Sequence, residues 1–520
     1  MKSYLLLWIL LVAILFGTLY IFVFGWAALP VSSIAILGIA TVISTLVIAN
    51  EIRRPKPKEY FRNKALFPKI PEKYLAAKPV SGSVIFGKDY HTGKTVVAEP
   101  GHHSLICGST GSGKTANCLI PSILSCNTGS KQIVDIKSRE LSYKTANIHD
   151  EKTQIIDLNL QKPWVYGWDI FYKLHKDGSA TEHEVLKVVR EVASVVVPKS
   201  NSGDGFWADA ARNEFVGLML FEFCHGGQTE FIDCIQSILS VPLREHLELA
   251  LNTVPKTSLV ASYLTSLAAS ADETLFSVDL TLSQNIYHFV SEEAVYFLRD
   301  NHRRANPQML NEEGVTQYIC VSEESLDSGF DKLMNIIMKQ TLQELQSRTT
   351  SGKYPQTMLF FDEFQRLSES CEEIRQVMAS FLKTGRSKHA SAVLCFQNLD
   401  NCKKETMYDI LSNIHYFYVL SSNNSNSLTT EVVCKMAGSY YEKAVSTSEG
   451  RGTSTSTSFN EKAILKPEDL NNLGEDAVLI ITNHGYARTN KERTAYYKTE
   501  PYKSQYEKIL AVNEKAMEGV

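Results

Sequence analysis

The chain has 520 residues, a formal net charge of −4, 44% hydrophobic and 21% charged residues. This is the balance of a globular protein, and the length calls for more than one domain. The near-neutral charge excludes a protein that coats nucleic acid over its whole surface, while leaving room for a local basic groove. The ten cysteines contain no CxxC pair, which argues against a disulfide scaffold or a paired-cysteine zinc site and for reduced thiols packed as small hydrophobes.

Tyr4 to Phe24 and Ala27 to Ala49 are apolar runs with no charged residue. Each is about 20 residues, enough for a helix to span ~30 Å of hydrocarbon. Gly25, Trp26 and Pro30 suit a tight turn between them, and Arg53, Arg54, Lys56 and Lys58 follow the second run. Basic residues at that exit place the flank, and with it Lys2, on the cytoplasmic side. The competing reading is a secretory signal peptide, but the first run is long for one and a second follows at once. The expectation is a transmembrane hairpin with a basic flank over residues 1–58, in contact with membrane lipid, then a proline-punctuated linker over 59–81.

From Gly82 onward, short β-branched runs alternate with amphipathic stretches, the pattern of an α/β fold built on a parallel sheet. Strands are expected at His103–Cys107, Gln132–Ile136, Gln154–Leu158, Val315–Val321, Met358–Phe361, Ala392–Phe396, Ile414–Leu420 and Ala477–Thr482. Several are nearly all apolar, as strands covered on both faces are. From Glu182 to about Arg299 helical periodicity takes over, for instance at Phe206, Ala210, Ala211, Phe215, Leu218, Met219 and Phe223. The expected organisation is a nucleotide-binding domain in two parts, 82–180 and 306–505, an all-helical insert over 181–305, and a tail over 506–520. Ser446 to Ser458 is rich in Ser, Thr and Gly and reads as a surface loop.

The chemistry concentrates in a few motifs. Gly108-Ser109-Thr110-Gly111-Ser112-Gly113-Lys114-Thr115 is a complete Walker A sequence between an expected strand and an expected helix. Its glycines let backbone N–H groups turn toward phosphate oxygens, and the helix N-terminus adds positive dipole. Lys114 is placed to reach the β- and γ-phosphates of ATP, and the Thr115 hydroxyl to ligate Mg²⁺. Met358 to Phe361 is an apolar strand ending in Asp362-Glu363, a Walker B candidate: Asp362 for Mg²⁺, Glu363 to orient and polarise the attacking water. Gln397 ends the next strand, where a polar side chain can sense the γ-phosphate; a plain surface amide would look the same. Arg386, beside Gly385, suits an arginine finger at a subunit edge or, equally, a solvated basic turn. Asp135, Lys137 and Glu140 follow another strand end, where either ligand binding or structural salt bridging is at home.

Taken in order, these stretches resemble the type IV coupling proteins, the TraG/TraD-type ATPases of bacterial conjugation and type IV secretion. The resemblance runs from the N-terminal hairpin to about Tyr502. It is carried by Gly87-Lys88-Asp89 through Thr115, and by Asp135-Ile136-Lys137, which departs from the family's Asp-Pro-Lys-Gly-Glu. Phe206-Trp207 with Ala210-Ala211, Asp362-Glu363-Phe364 with Gln397 and Asn413, and Leu465 to Leu470 followed by Tyr496-Tyr497 complete it. It implies a RecA-like P-loop domain with an all-helical insert domain, a homohexamer, and a multi-pass place in the bacterial inner membrane with soluble domains in the cytoplasm. It also implies DNA-stimulated ATP hydrolysis on single-stranded or relaxase-bound DNA, and contact with a relaxase or effector proteins and with the secretion channel. Alternatives are an FtsK/HerA-type DNA translocase and a membrane scaffold that binds nucleotide without turnover.

Overall fold

The computed structural model describes residues 70–518, apart from 79–81, 138, 176–179, 199–204, 327–329, 370–371, 401–403, 422–426, 450–452 and 483–484. The hairpin expected over 1–58 lies outside the described residues, and among the described residues no helix is long and apolar enough to cross a membrane.

Among the described residues sixteen strands follow in chain order: β1 (Leu75–Ala76), β2 (Ile85–Asp89), β3 (Thr95–Val97), β4 (Ser104–Cys107), β5 (Ser130–Asp135), β6 (Thr153–Asp157), β7 (Val165–Trp168) and β8 (Arg304–Ala305), then β9 (Thr316–Cys320), β10 (Thr357–Phe361), β11 (Ala390–Phe396), β12 (Tyr416–Val419), β13 (Ser439–Glu449), β14 (Thr453–Ala463), β15 (Asp476–Ile481) and β16 (Gly485–Asn490). Fourteen of them make one sheet in the order β1-β3-β2-β16-β15-β12-β4-β11-β10-β5-β9-β6-β7-β8. From β12 to β8 every pairing is parallel. The flank from β15 to β1 is antiparallel. The eight strands read from the sequence are present as β4, β5, β6, β9, β10, β11, β12 and β15. Their side chains are buried almost without a break, which is why they read as continuous apolar runs rather than alternating ones.

One stripe of this interior is polar. Gln132, Gln317 and Gln154 face one another in register on β5, β9 and β6. Gln132 Nε2 donates to Gln317 Oε1 at 2.9 Å and Gln317 Nε2 donates to Gln154 Oε1 at 3.0 Å, so the buried amides satisfy each other.

Between β7 and β8 the chain is helical: α1 (Glu182–Val196), α2 (Gly205–Cys224), α3 (Phe231–Ser240), α4 (Leu243–Thr253), α5 (Leu259–Ala268) and α6 (Asp272–Ile286). Thr181 and Glu184 close a capping box at the start of α1, which satisfies N–H groups the first turn leaves orphaned. In α2, Phe215, Leu218 and Met219 are buried, whereas Phe206 is 64% exposed. Gly217 of α2 lies against Leu264 and Tyr263 of α5, where a Cβ would collide.

The Ser/Thr-rich stretch expected as a loop is different. β13 and β14 pair antiparallel along their whole length, from Ser439↔Ala463 to Glu449↔Thr453. Threonine is β-branched and favours extended backbone, and cross-strand pairing outweighed the turn signal of serine and glycine.

Candidate nucleotide site

Because β5, β10, β11 and β4 are parallel, their C-terminal ends share one edge of the sheet, where ligands bind in open α/β folds. Gly108 to Thr115 leaves the end of β4 there. Gly111 (φ +77°) and Gly113 (φ +92°) lie in the left-handed region that favours glycine, and a Cβ on Gly113 would strike Asn117. The buried Lys114 ammonium turns back over the loop, donating to the Gly108 carbonyl at 2.5 Å and to the Ser109 carbonyl at 3.3 Å. Phosphate oxygens are stronger acceptors in the same concavity.

Asp362 and Glu363 leave the end of β10. Asp362 is fully buried, and neither carboxylate oxygen has a hydrogen-bond partner. Burial raises its pKa to about 6, against the pull of Lys137. A buried carboxylate whose oxygens accept no hydrogen bond, close enough to the P-loop to feel the Lys114 charge, fits a divalent cation, which would supply the missing partner. Glu363 has φ +59°, costly for a residue with a Cβ. Its Oε1 accepts from Lys137 Nζ at 2.6 Å and from Gln397 Nε2 at 3.0 Å. Burial opposes its charge, but these two hydrogen bonds and the Lys137 charge outweigh it and hold the carboxyl below its usual range. Lys137 also lies 3.6 Å from Asp362.

The three charged residues after β5 therefore divide. Lys137 belongs to the site. Asp135 accepts from the N–H groups of Lys137, Leu141 and Ser142 and seats the Glu140–Thr145 helix against the sheet. Glu140 pairs with Lys144 within that helix at 2.7 Å.

Arg386 is not brought to this edge. It is exposed, in the turn Gly385–Lys388 that precedes β11. The seven residues of β11 put it roughly 20 Å from Gln397. Asn413, ahead of β12, is at that far edge too.

A family model described as type IV secretory system conjugative DNA transfer matches residues 63–519. The chain belongs to that family. It is a type IV coupling protein. Among solved structures it is similar to the bacterial conjugative coupling protein TrwBdeltaN70 in its unbound form. The two are 18% identical over 75% of this chain and 84% of that one, with a TM-score of 0.56. The plasmid coupling protein TrwB in complex with ADP and Mg²⁺ matches at 17% identity over 75% and 84%, with a TM-score of 0.55. No curated protein matches the chain significantly. At this identity the structural likeness speaks for the mixed α/β P-loop fold.

The coupling protein also has an element at the site that no local motif marks. The helix after the P-loop opens with a π-type turn, Thr115–Leu119, and continues as Ile120–Ser125 with Pro121 in its first turn. Pro121 has no N–H to offer the carbonyl one turn back, that of Asn117. Thr494 Oγ1 stands at the gap, 2.9 Å from the Asn117 carbonyl and 2.8 Å from the Lys491 carbonyl, its one proton shared between them. Asn117 Nδ2 donates to Glu492 Oε1 at 2.9 Å, and Tyr496 N–H donates to the Ala116 carbonyl at 3.1 Å. The C-terminal segment 492–496 thus clamps the P-loop helix. Its one sequence signal is a proline just inside a helix that must stay closed.

Proposed function

We propose that this coupling protein is an ATPase that uses hydrolysis to move cargo into a type IV secretion or conjugation channel. The observation that carries the reading is the Glu363 carboxylate, held charged by Lys137 and Gln397 beside an Asp362 whose oxygens accept no hydrogen bond. A scaffold that only bound nucleotide would have no need of a strained, charge-held carboxylate next to its phosphate loop.

In this reading the N–H groups of Gly108 to Thr115, including those of Ser109, Thr110 and Ser112, cradle the phosphates of ATP. Lys114 exchanges its loop carbonyls for β- and γ-phosphate oxygens. Thr115 and Asp362 hold Mg²⁺, which supplies positive charge against the same phosphates. Glu363 accepts a hydrogen bond from the attacking water and orients it. Gln397, bonded to Glu363, links the carboxylate to the γ-phosphate position. Arg386, at the far edge of its own sheet, acts on a neighbouring subunit's site in a homohexamer. Residues 1–58 anchor the ring in the inner membrane with its soluble domains in the cytoplasm. The cargo is relaxase-bound or single-stranded DNA, effector protein, or both.

The test is steady-state ATP hydrolysis by the full-length protein in lipid, with and without single-stranded DNA, beside Lys114→Ala. Turnover that rises with DNA and vanishes in the variant, together with loss of cargo transfer in cells, is expected. Turnover unchanged in Lys114→Ala would overturn the site. Nucleotide binding with no turnover under any condition would favour the scaffold.

A further inference from the structure

Away from the nucleotide site, two groupings among the described residues bring histidine and carboxylate ligand atoms within 4.8 Å of one another. In the first, Asp169, His175 and Glu230, the protein already satisfies its members. His175 Nδ1 meets Asp169 Oδ2 at 2.9 Å, its Nε2 meets the Thr229 carbonyl at 3.1 Å, and Arg304 grips both oxygens of Glu230 at 2.5 and 3.0 Å. A metal there would have to displace a forked guanidinium.

The second, Glu99, His102 and His415, is built differently. His102 stands two residues before β4 and His415 one residue before β12, and these strands are parallel neighbours with Tyr416 opposite Ser104. The backbone locks this edge: His415 N–H donates to the His103 carbonyl at 3.0 Å, and Thr482 N–H donates to the His415 carbonyl at 3.0 Å. The two imidazole rings lie 4.4 Å apart, tilted by 35°. Glu99 is tied to the same strand, its N–H donating to Tyr416 Oη at 3.0 Å. His102 Nδ1 lies 3.3 Å from the Glu99 carbonyl, which orients the ring. All three residues are partly exposed, so an ion can reach them.

We propose that Glu99, His102 and His415 form a binding site for a divalent transition ion of the zinc class. Two imidazoles and one carboxylate make a three-ligand borderline set that leaves a coordination position open. Zinc bonds of ~2.0–2.1 Å need the ligand atoms about 3.4 Å apart. Closing from at most 4.8 Å takes at most about 1.4 Å, shared between two side chains and within reach of their rotation on a fixed backbone. Both histidines ligate in the neutral form, the ordinary one at neutral pH. Two cations oppose the ion. Lys73 Nζ pairs with Glu99 Oε2 at 3.3 Å, with the Lys73 side chain about half exposed, and such a surface pair is readily exchanged. The exposed Arg386 adds positive charge toward His102. When bound, the ion ties the loop before β4 to β12 at the edge that also bears Arg386.

The experiment is Zn²⁺ binding by the full-length protein in detergent, read by competition with a chromophoric chelator. Excess Mg²⁺ and ADP occupy the oxygen-rich phosphate site throughout. Co²⁺ serves as a spectroscopic substitute. One ion per chain at micromolar Kd or tighter is expected, with a visible Co²⁺ ligand-field band. His102→Ala and His415→Ala should each weaken binding at least ~100-fold and abolish the band, since even outer contacts of a metal site are worth 10–100-fold. Glu99→Gln keeps both rings and should weaken binding as well, which covers the case where a histidine variant misfolds. His175→Ala should bind as the parent does. Zinc affinity equal to the parent in Glu99→Gln and in the folded histidine variants, or no binding tighter than millimolar by the parent, would overturn the proposal and leave an ordinary stacked histidine pair.

Discussion

Asp362→Asn should make the nucleotide-free protein more stable as the pH rises, while destroying its Mg²⁺-dependent turnover. Asp362 is fully buried, its oxygens have no hydrogen-bond partner, and burial raises its pKa to about 6. An unfolded chain returns it to about 3.9. With the folded value raised, the folded state holds the proton more tightly. The contribution to stability is therefore full below pH ~4, falls between pH ~4 and ~6, and stays low above. A gap of about two units at 1.36 kcal/mol each amounts to roughly 3 kcal/mol. Asparagine behaves as a permanently neutral Asp362, so its own orphaned amide shifts the comparison by a constant and leaves the pH dependence intact. The assay is the unfolding midpoint of the full-length pair in detergent with EDTA, from pH 4 to 8. The stability gap should widen in favour of the variant by about 2–3 kcal/mol up to pH ~6.5 and then level off. Mg²⁺ with nucleotide should raise the parent's midpoint far more than the variant's. A gap that stays flat or narrows with pH refutes a buried charge that Lys137 compensates only in part, and with it the fit to a cation.

Glu363→Gln should bind ATP with Mg²⁺ and hydrolyse it about 10²–10⁴-fold more slowly, the usual worth of a positioned base, in single-turnover assays; loss of ATP binding instead would mark Glu363 as structural. Arg386→Ala mixed with Lys114→Ala should recover part of the ATPase activity that neither has alone, because mixed rings contain sites with an intact Lys114 facing an intact Arg386. No recovery at any mixing ratio in rings shown to be mixed sinks action in trans. Thr494→Val should cost about 1–3 kcal/mol by orphaning the Asn117 carbonyl, and raise KM for ATP. Thr494→Ser should restore both, and a Thr494→Val protein with parental melting and KM would show the clamp to be idle.

What could be read from the sequence was whatever is local. The Walker A loop carries its own strand, glycines and helix, and the buried parallel strands announce themselves as unbroken apolar runs. The two- and three-residue strands β1, β3 and β8 carry too few residues for any period, and the β13–β14 pair hid behind its serines. Charge pairing across strands was out of reach. Lys137 and Glu363 are distant in sequence and meet because β5 and β10 are parallel neighbours. The left-handed backbone of Glu363 and the Thr494 clamp likewise exist only once the chain is folded. Arg386 stands just before a strand parallel to β4 and so emerges at the opposite edge from its own P-loop, a placement that only the strand order reveals.

The glutamine stripe across β5, β9 and β6 bears on how this sheet assembles. Apolar side chains in a parallel sheet are nearly interchangeable, so strands of valine, isoleucine and phenylalanine could dock one step out of line at little loss. The amides of the stripe, by contrast, pair along a single direction, Gln132 donating to Gln317 and Gln317 to Gln154, and any slip would seal an unmatched amide among hydrocarbons. β9 comes from a chain segment separated from β5 and β6 by the whole helical region. The stripe therefore favours one alignment of these distant strands over every other.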